Sequence, residues 1–151
     1  MWADMGHDIR DLFSYRLALL ARANDRDAQN HLMSNYGVTL IEWRTLGVIR
    51  ALCPCTLRQL ATQGFLDEGQ MSRTVKLLCE RGLVERRPDD SDGRAIKLSL
   101  SAAGEALYVR VIGHVETANE ETIAVLSQEE RLMLMEFMQR MLDHLRTGDG
   151  A

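Results

Sequence analysis

Residues 70–76, "QMSRTVK", combine two kinds of polar chemistry in one short run. Arg73 and Lys76 carry fixed positive charge suited to phosphate oxygens. Gln70 and Ser72 carry neutral donors and acceptors of the kind that read base edges. A second basic group lies downstream: Arg86 and Arg87, then Arg94 just past the acidic run "DDSDG". Laid flat on a nucleic-acid backbone, such a run is repelled. An arginine beyond the turn reaches deeper, into a narrow A·T-rich minor groove of enhanced negative potential. Asp92 reads as a turn-former or as a carboxylate that orients Arg94. The plainer reading of Arg73 and Lys76 is a solvated helix face, and of Arg86 and Arg87 edge protection of a strand.

Other chemistry is sparse. Cys53, Cys55 and Cys79 make an odd number of cysteines, which argues against a disulfide framework. Cys53-Pro54-Cys55 does not have the two-residue spacing of a zinc knuckle or thioredoxin-like site. It reads as reduced thiols near a helix end, with a redox or metal sensor as the sharper alternative. His7, His31, His114 and His144 are scattered along the chain, so a metal site would need them to converge in space. There is no Gly-rich phosphate loop, H-E-x-x-H or G-x-S-x-G, so an enzyme is not expected, nor a resident cofactor or metal.

The elements that must position the polar groups are legible from period and caps. Ile9, Leu12, Phe13, Leu17 and Leu20 recur at helical spacing, predicting a first helix to about Met33, broken at Asn35-Tyr36-Gly37. Thr39 with Glu42 forms a capping box for a second helix, which Pro54 ends. Thr56 with Gln59 opens a short third helix, stopped by Gly64. Asp67 opens a fourth, whose Met71, Val75 and Leu78 form one narrow apolar face opposite Arg73 and Lys76. Gly82 closes it. The period then changes to two: "LVERR" and "AIKLSL" read as strands, joined across Pro88–Gly93 as a hairpin, with Ile96, Leu98 and Leu100 on one face. Ser101 caps a helix running to about Leu126, and Ser127 with Glu130 opens a last one. Its apolar stripe, Leu132 to Leu145, is too wide for the surface of a small monomer.

Net charge is −4 over 151 residues, yet it is unevenly spread. Residues 101–151 carry four basic and nine acidic side chains, whereas residues 56–100 carry eight and seven. A basic face in the middle third is therefore compatible with an acidic chain. No 18-residue apolar run predicts a membrane span, and the N-terminus lacks the pattern of a signal peptide, so a cytoplasmic location is expected. The order of elements predicts a mainly α fold with a small β-hairpin wing: a winged helix-turn-helix domain over 37–100, with helices at 1–36 and 101–147 and a frayed tail at 148–151.

The stretch from Tyr36 to Gly104 resembles the MarR family of bacterial transcriptional regulators. "GLVERRPDDSDGRA" and the following "LSLSAAG" are the most specific pieces, with Asp92, Gly93 and Arg94 in the family's Asp-x-Arg positions. The resemblance implies a homodimer held by the terminal helices, binding a palindromic double-stranded DNA operator, usually as a repressor. It also implies release by a small, often aromatic effector or by thiol oxidation. Thr56, Gln70, Ser72, Arg73, Lys76, Arg86, Arg87, Asp92 and Arg94 are then the candidate DNA-contacting residues. Arg16, His31, Tyr36 and Trp43 are candidate effector-lining residues, or else ordinary core and interface residues. A protein-interaction module without DNA binding is a further alternative, one expected to lack the wing arginine that this chain keeps. The first helix holds no cysteine, where the family's thiol sensors often carry theirs.

Overall fold

The structure, a computed structural model, describes residues 8–63, 66–89 and 95–148. Six helices and one hairpin follow in the order α1 (Phe13–Tyr36), α2 (Leu40–Leu52), α3 (Leu57–Thr62), α4 (Glu68–Glu80), β1 (Val84–Pro88), β2 (Ile96–Leu100), α5 (Ala102–Thr122) and α6 (Gln128–Gly148). The mainly α winged-helix architecture expected from the caps is present. The chain divides into two compact units, residues 1–114 and 115–151.

Three capping boxes set the starts of α2, α3 and α6. Thr39 and Thr56 each accept the amide three residues on, while Glu42 and Gln59 reach back to the cap amide. Ser127 and Glu130 repeat the exchange. At α4, Asp67 accepts the Gln70 amide at 2.8 Å. Each arrangement satisfies donors that a helix start leaves unpaired. Gly37 and Gly82 end α1 and α4 at φ of 64° and 69°, the left-handed region that a Cβ disfavours.

Two helix ends differ from expectation. α1 continues three residues past Met33 to Tyr36, because the left-handed residue is Gly37 and Asn35 is accommodated by donating to the His31 carbonyl. Its start also differs: Ile9–Asp11 form a separate 3₁₀ turn capped by Asp8, and Leu12 is extended. α5 stops at Thr122, four residues before Leu126. There Thr122 bonds back to Ala118, and the next residues form tight turns that free Ser127 to cap α6. α3 ends at Thr62; Gly64, the expected stop, lies outside the described residues.

The core of the first unit gathers Leu46 and Ile49 of α2, Leu60 of α3, Met71, Val75 and Leu78 of α4, and Val84 and Leu98 of the hairpin. The strands pair antiparallel, with Val84 opposite Leu100 and Pro88 opposite Ile96. A bridge from Cys55 to Leu98 attaches the α2–α3 connection to β2. Leu98 is buried, but Ile96 on the same face is exposed, because the hairpin projects past the core before its tip.

Glu42 is the polar hub. Its side chain is 5% exposed and accepts from the Thr39 amide, the Thr39 hydroxyl and Arg81 Nη1, the last at 2.6 Å. Burial raises its pKa. The Thr39 amide, the Arg81 guanidinium and the Thr39 hydroxyl outweigh that and hold the carboxyl below the usual carboxylate range. A lowered folded pKa contributes stability above the unfolded value and loses it as pH falls through the folded one. The stability difference between wild type and Glu42→Gln is therefore expected to be constant above about pH 5 and to shrink below about pH 4, in urea unfolding across pH.

Gly104 is fixed by sterics. A Cβ there would sit 2.1 Å from the Leu83 carbonyl oxygen, which also accepts the Ser101 amide and so cannot move freely. Gly104→Ala is expected to lose about 1–3 kcal/mol or more in unfolding free energy, measured by denaturant titration.

Candidate nucleic-acid interface

α4 is amphipathic with a sharp division. Met71, Val75 and Leu78 are fully buried. This turns Gln70, Arg73 and Lys76 to solvent, and Leu77, 46% exposed, lies among them. Ser72 is half-buried on the flank. Thr74 bonds back to the Gln70 carbonyl and is not free to reach outward.

The cations differ in how committed they are. Among the described residues, Arg58, Arg73 and Arg86 have no acidic partner. Lys76 lies 3.8 Å from Glu80 and Arg87 2.6 Å from Glu85. All five are exposed. Such solvent-facing pairs are worth little and exchange readily for a phosphate. Lys97 pairs with Asp89 at 3.3 Å, which offsets part of the acidity at the base of the wing. The Thr56 hydroxyl serves the capping box of α3. Asp67 is similarly committed to the first turn of α4 and Glu80 faces Lys76, so neither acid stands alone on this face. Asp92 and Arg94 lie outside the described residues. Arg58 was not singled out from sequence. It sits in a six-residue helix whose spacing predicts Leu57, Leu60 and Ala61 pointing inward, and the fold, with Leu60 buried, leaves Arg58 on the surface.

A second polar cluster forms where α1, α2 and α5 meet. The Tyr36 hydroxyl meets His114 Nδ1 at 2.5 Å. The His31 and His114 rings are 5.6 Å apart, and the Arg110 guanidinium lies 5.9 Å from the Tyr36 ring centre. Trp43 stacks on Tyr108 at 4.9 Å, and Arg50, paired with Glu105, covers the other Tyr108 contact at 4.6 Å. The fold thus brings His31 and Tyr36 together and places Trp43 in the adjoining stack. Arg16 is elsewhere: it binds Asp11 and the Arg10 carbonyl, roughly 22 Å along the helix axis from His31. Tyr108, Arg110 and His114 were missed as site residues. Arg110 and His114 are four residues apart on α5 and Tyr108 lies on another side of it, and nothing in the sequence shows which helices they face. Two of the four scattered histidines do converge, yet no group of three potential metal ligands forms among the described residues.

A sequence profile described as the MarR family matches residues 36–95, from the end of α1 to the foot of β2. Over that stretch the chain is similar to the MarR family. The HTH-type transcriptional regulator BilQ of Clostridium symbiosum is 29% identical over 87 residues, which are 58% of this chain and 60% of that protein. The HTH-type transcriptional repressor NicR of Pseudomonas putida is 26% identical over 106 residues, 70% of this chain and 67% of its own length. Among solved structures, a probable transcriptional regulator from Pseudomonas aeruginosa superposes with a TM-score of 0.78 at 26% identity. That match covers 89% of this chain and 99% of the other. The match therefore spans less than two thirds of BilQ and nearly all of the Pseudomonas aeruginosa chain. In the winged-helix fold that this superposition shows, α4 holds the place of the second helix of a helix-turn-helix, and β1–β2 that of the wing.

If the free cations meet phosphates, each one removed lowers the slope of log affinity against log salt by about one. Arg58→Ala, Arg73→Ala and Arg86→Ala are each expected to do so on operator and on random DNA alike, in a salt titration by fluorescence anisotropy. Arg26→Ala, on the exposed face of α1, is the control expected to leave the slope unchanged.

Proposed function

We propose that the protein is a sequence-specific DNA-binding transcriptional regulator acting as a homodimeric repressor. One observation carries this: the buried face of α4 forces an unpaired arginine and an amide side chain outward on the helix that a winged helix presents to the major groove. Gln70 and Ser72 read base edges. Arg58, Arg73, Lys76, Arg86 and Arg87 hold phosphates, and Thr56 lies at the start of the supporting helix. Arg94, oriented by Asp92, enters the minor groove. The names of BilQ and NicR agree with a regulatory role.

The partner copy is inferred from α6. Its Leu132 and Leu145 are 67% and 66% exposed, and every described residue of the helix except Arg131 is exposed. Ile9, Leu12, Phe13 and Leu20 of the N-terminal segment are exposed too. An apolar surface of this extent marks an interface. Residues 1–36 and 101–147 thus serve dimerisation and residues 37–100 serve DNA binding, with paired α4 helices matching a palindromic site. The cluster of Tyr36, His31, His114 and Arg110 supplies aromatic rings and one fixed cation, the Arg110 guanidinium, suited to a small planar anion, an effector that would release DNA. Redox control through Cys55 finds less support: Cys55 is buried, and burial raises its thiol pKa, keeping it from the reactive thiolate, while Cys53 is exposed.

Selection from a random DNA pool with the purified protein is expected to return an inverted repeat. Against that site, Arg94→Ala is expected to lose about 1–3 kcal/mol of binding with the dimer intact by light scattering. Return of no enriched sequence, or unchanged affinity for Arg94→Ala, overturns the corresponding part of the reading.

A further inference from the structure

Arg81 links three elements through one guanidinium. It is the C-cap residue of α4, its own amide donating to the Leu77 carbonyl at 2.9 Å. Its Nη1 donates to Glu42 at 2.6 Å, in the first turn of α2. Its Nη2 donates to the carbonyl of Gly37 at 2.9 Å. Gly37 is the left-handed residue that closes α1, and the preceding residue is Tyr36, whose hydroxyl meets His114 of α5. Two short polar contacts, Tyr36–His114 and Arg81–Gly37, are therefore joined through the covalent chain from the Tyr36 side chain to the Gly37 carbonyl, linking His114 to the end of the groove-facing helix.

The chemistry of the link suits a transmitted displacement. Glu42 is held by the Thr39 amide and the Thr39 hydroxyl, so it gives Arg81 a fixed anchor. The Gly37 carbonyl is the other acceptor, and its direction is set by how α1 ends. A planar guanidinium engages both acceptors only while they keep their relative position. A shift of the Tyr36 backbone changes that position and must be answered by Arg81, and through it by the last turn of α4. Besides a weak hydrogen bond from the Thr45 hydroxyl to the Met71 sulfur at 3.9 Å, α4 is held by apolar burial at Met71, Val75 and Leu78, which lacks the directionality to hold its angle.

We propose that Arg81 is the positioning residue that couples the Tyr36–His114 contact to the setting of α4, and so makes DNA affinity depend on the state of that cluster. The proposal rests on the reading of α4 as the DNA-facing helix.

The test is a double-mutant cycle of Tyr36→Phe and Arg81→Lys, with two readouts on the full chain. Lysine keeps the charge but lacks the fork that spans both acceptors. The first readout is affinity for the selected DNA site. Tyr36→Phe is expected to change it at least about fivefold in the wild-type background. In the Arg81→Lys background the change is expected to fall below about twofold, the tolerance of independent sites. The second needs no DNA: amide exchange across residues 77–81 is expected to respond to Tyr36→Phe only while Arg81 is present. A merely structural clamp would lower stability without making one substitution mask the other. Equal Tyr36→Phe effects in both backgrounds, or none in wild type, overturn the proposal. If the wild type binds no DNA, the reading of α4 fails while the exchange experiment still decides the coupling. If Arg81→Lys does not fold, Glu42→Gln replaces it, with the same expected masking.

Discussion

Met71, Val75 and Leu78 lie fully buried along one side of α4, and this leaves the helix a single way to face. Burying such side chains is worth about 1.5–3 kcal/mol each, far more than any one surface charge contributes. Once that stripe is seated against α2, α3 and the hairpin, Gln70, Arg73 and Lys76 have no choice but solvent. The polar face is thus a by-product of apolar packing. The same packing brings Leu98 of β2 against the core and so roots the wing beside α4.

Apolar burial sets which face points outward but leaves rotation and tilt soft. Directional contacts supply the rest. Glu42 and Arg81 pin the end of α4 to the start of α2, while Ser101 and Gly104 seat the start of α5 on the Leu83 carbonyl. Each of these joints lies at a helix end, where unpaired backbone groups are available to be bonded. The rigid parts of the winged helix are therefore joined by polar contacts at their termini, and these are the places where a small movement is passed on.

Net charge is a poor guide to such a surface. The chain is acidic overall, and its acid is concentrated in residues 101–151. What a polyanion meets is the local field, and at ordinary ionic strength charges beyond about 8–10 Å are screened. Around α4 most described acids are engaged: Asp67 with a helix-start amide, Glu80 with Lys76, Glu85 with Arg87 and Asp89 with Lys97, while Glu68 at the helix start is exposed and, among the described residues, without a cationic partner. The arginines without partners, Arg58, Arg73 and Arg86, dominate what remains.

The helix starts at Thr39, Thr56, Asp67 and Ser127 and the switch to period two at the hairpin were legible in the chain, because capping and amphipathic periodicity are local and act over three to seven residues. So was the outward face of α4, which follows from its own apolar stripe. The end of α5 at Thr122 was not, since the tight turns after it compete with a helix that has no breaker residue there. Neither were the partners of His114, Arg81 and Tyr108. His31 and His114 are 83 positions apart, and Glu42 and Arg81 are 39 apart. Their meeting depends on how α1, α2, α4 and α5 pack, and no local signal encodes that. Sequence alone thus determined the elements, their order and the outward polar face of α4. Tertiary structure alone decided which cations stay unpaired, which rings form the second cluster and which side chain joins it to α4, because those are contacts between elements distant in the chain.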